Sequence, residues 1–319
     1  MRVACLSAMI ALAGLAAGPA TAQQTVDGPE PAVVQAIPQP DSRISIPVQV
    51  NGTGPWPFVI DTGSQRTVIS HALATRLGLT ADRPVTILAM SGLADVSTVA
   101  VPDIRFGATR MRDTLAPVLE GDHLGAPGLL GLDGMRGKRL VMNFRTGKMT
   151  ITSSVMRDYV PDVVSVDARR RDGQLILLDC TANKRKVHVI LDTGTEYSIG
   201  NRALMTQLVA SRPAAMLGAA QLVSVTGETL DGQWGVLDRI TMGKIVLRNL
   251  PVMFTDGGPF GVLGVADQPA LLLGVKALRQ FDRVAIDFGR HRVDFLLPDQ
   301  SALQPFHLAS ASGIGGGAY

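Results

Sequence analysis

The sequence is poor in cysteine and in aromatic residues. Its 319 residues include two cysteines, and aromatic side chains make up 4% of the chain. Two cysteines cannot build the disulfide framework of a small secreted scaffold, so stability must come from an aliphatic core. Hydrophobic residues nevertheless make up 46% and charged residues 18%. This composition is typical of a globular protein and excludes a chain that is disordered throughout.

The sequence also lacks a strong excess of charge and the motifs of several enzyme classes. A count of 30 Lys and Arg against 27 Asp and Glu gives a net charge of +3, so we expect no nucleic-acid partner. The five histidines are scattered, and paired-cysteine, Gly-x-Ser-x-Gly and phosphate-loop patterns do not occur. We therefore predict no metal and no cofactor, and the serine-hydrolase class is excluded.

One apolar run occurs, at the start of the chain. Residues 6–17 carry no charge, and Ala20-Thr21-Ala22 offers the small residues that a signal peptidase recognises. We predict a signal peptide over residues 1–22 and an exported protein, periplasmic or secreted, with no stable membrane insertion after cleavage. A retained anchor is the alternative, but the run is shorter than the roughly 20 residues of a membrane span. Cleavage leaves one thiol, Cys180, which we expect to be buried.

Beyond residue 43, one pattern occurs twice. Each copy has an alternating strand, a turn and three apolar residues followed by Asp-Thr-Gly, with the aspartates at Asp61 and Asp192. Each copy continues with an apolar-apolar-Gly segment, at residues 128–131 and 271–274, and ends in a strand with a turn around Phe and Gly. Strand and turn signals dominate both copies. The sequence therefore predicts an all-β chain with two homologous lobes related by a pseudo-twofold axis.

The repeat sets the expected boundaries. The predicted units are a flexible leader (23–42), an N-terminal lobe (43–152), a linker (153–172), a C-terminal lobe (173–297) and a flexible tail (298–319).

A pseudo-twofold axis between the lobes would bring the carboxyl groups of Asp61 and Asp192 together. Two carboxylates a few ångströms apart cannot both ionise, so they share one proton. One can then act as base on a water while the other hydrogen-bonds a scissile carbonyl. A glycosidase with two carboxylates is an alternative, but its carboxylates lie about 5 Å or more apart in distinct environments.

Residues 58–69 with 128–131 resemble one lobe of a retropepsin-type aspartic peptidase, and residues 189–195 with 271–278 and 286–288 resemble a second. The whole resembles bacterial exported proteins in which two such lobes are fused, and the resemblance covers residues 43–297. It implies the bilobed acid-protease (pepsin-like) β-barrel fold, a peptide or protein substrate and a monomer. It also implies an aspartic endopeptidase with Asp61 and Asp192 as the catalytic pair. By the same matching, Thr62 and Thr193 lock the two loops together, and Gly63 and Gly194 shape them.

The sequence departs from the retropepsin pattern at two places. Ser64 and Thr195 replace the usual Ala after Asp-Thr-Gly, and their hydroxyls could donate to the carboxylates and hold their pKa down. Neither flap candidate has the pepsin tyrosine: the first turns at Met90-Ser91-Gly92, and the second contains Gly227 and Trp234. One flap or two remain open at this point. So does the alternative of a peptide- or protein-binding module with little or no turnover.

Overall fold

The computed structural model describes residues 2–3, 11–12, 32–38, 42–154, 162–212 and 215–298. Most of the predicted signal peptide and nearly all of the predicted tail lie outside these residues. The described chain is built mainly of β-strands in two sheets, as the all-β bilobed prediction requires. No helix in the described ranges has the length and apolar character needed to cross a membrane.

The first sheet forms the N-terminal lobe. Its nine strands run, in spatial order, Ala11–Leu12, Ala81–Ala89, Gly92–Phe106, Thr109–Leu119, Val68–Ser70, Gly128–Leu130, Thr53–Ile60, Ile44–Val50 and Ile37–Pro38. An additional pairing joins Gly92–Phe106 to Ile44–Val50, and this curls the sheet into a barrel. The lobe also holds three short helices: His71–Arg76, Gly121–Leu124 and the 3₁₀ turn Leu132–Met135.

The second sheet begins with the C-terminal lobe. Its strands there run Arg2–Val3, Met216–Val223, Thr229–Met242, Ile245–Phe254, Ser198–Gly200, Ala270–Leu273, His188–Leu191 and Gln174–Leu177. A side hairpin is formed by Cys180–Ala182 and Arg185–Lys186. Its first strand pairs with Thr229–Met242. The helices are Arg202–Ser211, Gly258–Val262 and Val275–Leu278.

The strand before each Asp-Thr-Gly is held by the predicted apolar-apolar-Gly segment. In the first lobe Leu130 pairs in parallel with Ile60, and its carbonyl accepts the Asp61 amide at 3.0 Å. In the second lobe Leu273 pairs with Leu191 and accepts the Asp192 amide at 3.1 Å. Both aspartates are therefore fixed at the ends of buried strands by the same backbone bond.

The two lobes meet in a shared sheet. Each repeat ends in a hairpin, Lys138–Asn143 with Lys148–Ser153 in the first and Arg283–Asp287 with Arg292–Leu296 in the second. The leading strands of the hairpins pair antiparallel across the lobes, centred on Val141 opposite Ala285. One large core cluster therefore contains residues from both lobes.

Two stretches outside the predicted lobes contribute strands to this shared sheet. Residues 163–171 of the predicted linker form the strand Val163–Arg171, which pairs with Arg292–Leu296. Ala32–Gln35, in the predicted leader, pairs with Lys148–Ser153. The expectation of a flexible leader is corrected for Ala32–Gln35. An uncovered hairpin edge presents unpaired backbone groups, and a strand can satisfy them with its main chain whatever its side chains.

The single thiol of the predicted mature chain is buried, as expected. Cys180 begins a strand of the side hairpin and lies in the core. Burial, with a smaller effect of Asp179, raises the pKa of this thiol to about 12. Cys180 is therefore an unreactive packing residue.

Candidate active site

The two Asp-Thr-Gly loops meet at the centre of the molecule. Asp61 is 0% and Asp192 1% exposed. A Cβ added to Gly63 would lie 2.7 Å from Asp192 Oδ1, and one added to Gly194 would lie 2.3 Å from Asp61 Cγ. Each carboxyl group therefore packs against the glycine of the opposite loop, at a distance that excludes any larger residue. The structure thus brings together the two aspartates and two glycines proposed from the sequence.

The threonines of the two loops bind each other's backbone. The amide of Thr62 donates to Thr193 Oγ1 at 3.0 Å, and the amide of Thr193 donates to Thr62 Oγ1 at 3.1 Å. The hydroxyls then donate across the axis, Thr62 to the carbonyl of Leu191 at 2.9 Å and Thr193 to that of Ile60 at 2.7 Å. Four buried hydrogen bonds thus fix the relative position of the two aspartates, as the resemblance implied.

Asp61 has an unusual electrostatic environment. Its Oδ1 accepts the amides of Gly63 at 2.8 Å and Ser64 at 3.1 Å, whereas its buried Oδ2 has no hydrogen-bond partner among the described residues. Burial, and then the charge of Asp192, raise the pKa of Asp61 well above its usual range; the two amides and Arg43 oppose this. Asp192 Oδ1 accepts the Gly194 amide at 2.9 Å. Two carboxyl groups this close titrate as a pair and share one proton between their two ionisation steps.

The residues after the Asp-Thr-Gly motifs use their hydroxyls to stabilise the loops. The Ser64 hydroxyl donates to the carbonyl of Arg66 at 2.7 Å, and the Thr195 hydroxyl donates to that of Tyr197 at 2.8 Å. A hydroxyl has one proton to donate, so the expected bond from the Ser64 hydroxyl to Asp61 is not formed. Ser64 reaches the carboxylate through its backbone amide instead.

Arg43 is a residue of the site that sequence reasoning missed. It is 1% exposed, its Nη2 donates to the carbonyl of Leu124 at 2.8 Å, and its charge lowers the pKa of Asp61. An arginine immediately before a strand normally lies at the surface. No local pattern therefore distinguished it from a solvated residue.

Each lobe contributes one hairpin at the position of a predicted flap. Strands Ala81–Ala89 and Gly92–Phe106 turn at Met90-Ser91, and strands Met216–Val223 and Thr229–Met242 turn at residues 224–228. The tips touch. Ser91 Oγ lies 3.1 Å from Ser224 Oγ, 3.0 Å from Thr226 Oγ1 and 3.1 Å from Glu228 Oε2.

Each flap tip is anchored in the opposite lobe. Met90 belongs to a buried cluster of the C-terminal lobe, and its carbonyl accepts the Gly258 amide at 3.2 Å. Val225 of the second tip belongs to a buried cluster of the N-terminal lobe, beside Val59 and Leu129. Each tip therefore packs in the cluster of the opposite lobe that contains the strand before that lobe's aspartate, Met90 with Ile190 and Val225 with Val59.

The remaining flap candidates occupy different places. Gly92 and Gly227 have φ values of +119° and +96° in the two turns, a region that glycine adopts readily. Gly227 also packs against the ring of His123. Trp234, by contrast, is 7% exposed and lies in the C-terminal core, edge-to-face with Tyr197 at 5.0 Å between ring centroids. The structure therefore assigns it to the support of the flap and not to the tip.

Within the described ranges, no three His, Cys, Asp or Glu side chains lie close enough together to hold a metal ion. The carboxyl pair and its backbone donors are the chemical groups that the described residues bring to this site.

Comparison with protein families agrees with this geometry. The model of the family described as "Aspartyl protease" matches residues 46–133 and 178–277, one region in each lobe. No curated protein matches the chain. The two matched regions together span more than half of the sequence, and each contains one Asp-Thr-Gly loop with its apolar-apolar-Gly segment. The chain therefore belongs to the aspartyl protease family, as a fusion of two retropepsin-like lobes.

Proposed function

We propose that the protein is an aspartic endopeptidase whose catalytic residues are Asp61 and Asp192. The observation that carries this proposal is the reciprocal packing of each carboxyl group against the glycine of the opposite loop. It places the two acids together on the axis between the lobes. The raised pKa of Asp61 and its unpartnered buried Oδ2 supply a proton and an oxygen that can face a reacting group.

The proposed reaction needs one ionised and one protonated carboxyl group. The ionised carboxyl takes a proton from a water molecule, and the water oxygen attacks the carbonyl carbon of the peptide. At the same time the protonated carboxyl gives its proton to the carbonyl oxygen. The gem-diol that forms then collapses. Its C–N bond breaks, one hydroxyl proton returns to the pair, and the amide nitrogen receives a proton as it leaves as an amine. The pair ends with the single proton with which it began.

The flaps support an internal peptide bond as the substrate. We propose that the two hairpins, which meet from opposite lobes, cover an extended substrate chain that passes beneath them. Because one chain supplies both aspartates and both flaps, we propose that the protein acts as a monomer. We also propose that it is exported, periplasmic or secreted, on the basis of the predicted signal peptide at residues 1–22.

A peptide-cleavage assay tests this function. The chain from residue 23 onward is incubated with a library of internally quenched peptides, beside the variants Asp61→Asn and Asp192→Asn. Each variant should lose cleavage by several orders of magnitude, because a dyad acts as a unit. Asp167→Asn, an exposed carboxyl in the shared sheet, is the matched control and should retain full activity.

The same assay distinguishes the alternatives. Substantial cleavage by either dyad variant would contradict the assignment of the catalytic pair. Tight peptide binding without cleavage by the unmodified chain would favour a peptide-binding module.

A further inference from the structure

A cavity of about 390 Å³ lies in the N-terminal lobe and is rich in arginine. Its lining includes four guanidinium side chains, which outnumber the two carboxyl side chains; these six residues are Arg66, Arg83, Arg112, Arg136, Asp113 and Asp133. Concave sites of this volume bind small molecules or single side chains. The excess of positive charge specifies an anion as the occupant.

The positive charge of this arginine cavity is only partly compensated by its own carboxyl groups. Within the described part of the chain, none of the four arginines forms an ion pair, whereas Arg105 and Arg110 nearby both pair with Asp103. The carboxyl of Asp133 is engaged by other donors, the amide and hydroxyl of Thr67 at 2.9 and 2.7 Å and the amide of Gly134 at 2.9 Å. Burial raises the pKa of Asp133, and these hydrogen bonds and the charge of Arg66 oppose the rise. Asp133 therefore compensates part of the charge of Arg66, and no carboxyl forms an ion pair with the other three arginines in the described ranges.

The arginine cavity is built partly from the first Asp loop and partly from the first flap. Arg66 follows Asp61 by five residues, and its carbonyl accepts the Ser64 hydroxyl, so its backbone is part of the first Asp loop. Arg83 lies on the first strand of the first flap, where its carbonyl accepts the Thr98 hydroxyl at 2.6 Å. One wall of the cavity thus comes from the loop that carries Asp61, and another comes from the first strand of the first flap.

In the C-terminal lobe, the equivalent positions hold a lysine that is paired with its neighbours. Tyr197 occupies the position of Arg66, and Lys276 that of Asp133. Lys276 Nζ lies 2.6 Å from the Tyr197 hydroxyl, 2.9 Å from Glu196 and 4.0 Å from the centre of the Tyr197 ring. In the C-terminal lobe one cation is thus paired with its neighbours, whereas the N-terminal cavity has three further arginines beside Arg66 and Asp133.

We propose that the arginine cavity binds an acidic side chain of the peptide substrate, and that the protein favours peptides with Asp or Glu on one side of the scissile bond. This inference rests on the proposed function. Guanidinium groups bind carboxylates through paired hydrogen bonds. Five residues span at most about 17 Å, so the acidic residue lies within about five positions of the bond that is cleaved.

Matched peptides test this preference. Quenched peptides with one Glu, moved through the five positions on each side of a fixed cleavage site, are compared with the same peptides carrying Gln. At the responsive position we expect kcat/KM for Glu to exceed that for Gln about tenfold at low salt, with a smaller ratio at high salt. Arg83→Gln and Arg112→Gln should each reduce this ratio, and the double variant should bring it close to one. Arg105→Gln, on the other strand of the same flap, should leave the ratio unchanged.

A binding measurement separates this inference from the proposed function. Labelled Glu and Gln peptides are titrated into the Asp192→Asn variant, with inorganic phosphate as a competitor. Equal cleavage of both peptides by the unmodified chain would overturn the acidic preference and leave the endopeptidase in place. Selective binding of the Glu peptide by Asp192→Asn, together with no cleavage of either peptide by the unmodified chain, would support the cavity and overturn the endopeptidase. Phosphate binding without discrimination between the peptides would make the cavity a free-anion site and overturn its assignment to substrate.

Discussion

The two lobes are nearly alike at the dyad and differ one step away from it. In both, the glycine after the apolar-apolar segment donates its amide to a hydroxyl six residues beyond the aspartate, from Gly131 to Thr67 at 3.3 Å and from Gly274 to Ser198 at 3.2 Å. Next to these bonds, the N-terminal lobe has an open cavity lined by arginine, whereas the C-terminal lobe has the packed pair of Tyr197 and Lys276.

This difference shows where the pseudo-symmetry constrains the sequence. A shared proton requires equivalent placement of two carboxyls, so the loops that hold Asp61 and Asp192 must match. Arg66 and Asp133 do not hold the carboxyl pair in place. They can therefore differ from their counterparts in the C-terminal lobe, Tyr197 and Lys276. The proposed preference for acidic peptides would therefore reside in the N-terminal lobe, where the arginine cavity lies.

The most severe test of the comparison is to separate the lobes. Residues 43–152 and 173–297, expressed as fragments, should each fail to fold cooperatively. Each fragment would lose the pairing of Lys138–Asn143 with Arg283–Asp287, half of the common core and the partner for its Asp loop. Circular dichroism melts and gel filtration check this. A cooperative, monomeric transition from either fragment would show that the lobes are independent.

Much of this arrangement follows from the sequence, and the reason is local. Each Asp-Thr-Gly turn needs an apolar strand before it and glycine within it, so Asp61 and Asp192 are recognisable from adjacent residues. The contact of the flap tips joins Ser91 to Ser224, 133 positions apart, and no local pattern encodes it. The strand Val163–Arg171 escaped prediction because pairing at a sheet edge uses the backbone, while its arginine-rich end resembles a solvated run.

The next effect concerns the reciprocal anchoring of the flaps. Met90→Ala removes a buried side chain from the C-terminal cluster, and such truncations cost about 2–5 kcal/mol. Because each tip contacts the other, we expect both hairpins to open more often, with backbone hydrogen exchange at residues 85–96 and 221–232 at least about tenfold faster. Leu93→Ala, an exposed side chain beside the same turn, is the control. Faster exchange in the first hairpin alone would show that the flaps move independently.

A moderate effect is expected on stability. The pKa of Asp61 is higher in the folded protein than in the unfolded chain, so the folded state holds a proton that the unfolded state releases above about pH 4. Its contribution is therefore most favourable below that pH and is lost as the pH rises through the folded pKa. Asp61→Asn should therefore raise the melting temperature at about pH 7 and give little gain near pH 3.5.

Thermal melts of Asp61→Asn and the unmodified chain at both pH values measure this difference. Asp167→Asn provides the exposed control and should show no such dependence on pH. A gain that is largest at acid pH would contradict the raised pKa of Asp61.

The smallest effect separates the roles of two neighbours of Asp61, Arg43 and Ser64. Hydrolysis should have a bell-shaped pH profile, since the rate falls where both carboxyls are protonated and again where both are ionised. The charge of Arg43 stabilises the ionised form of Asp61 and lowers its pKa. Arg43→Met should therefore move the acid limb of kcat/KM to higher pH. Ser64→Ala should leave that limb in place, because the Ser64 hydroxyl donates to Arg66 and its backbone amide remains. A shift with Ser64→Ala but not with Arg43→Met would show that the hydroxyl, and not the buried guanidinium, sets the ionisation of the pair.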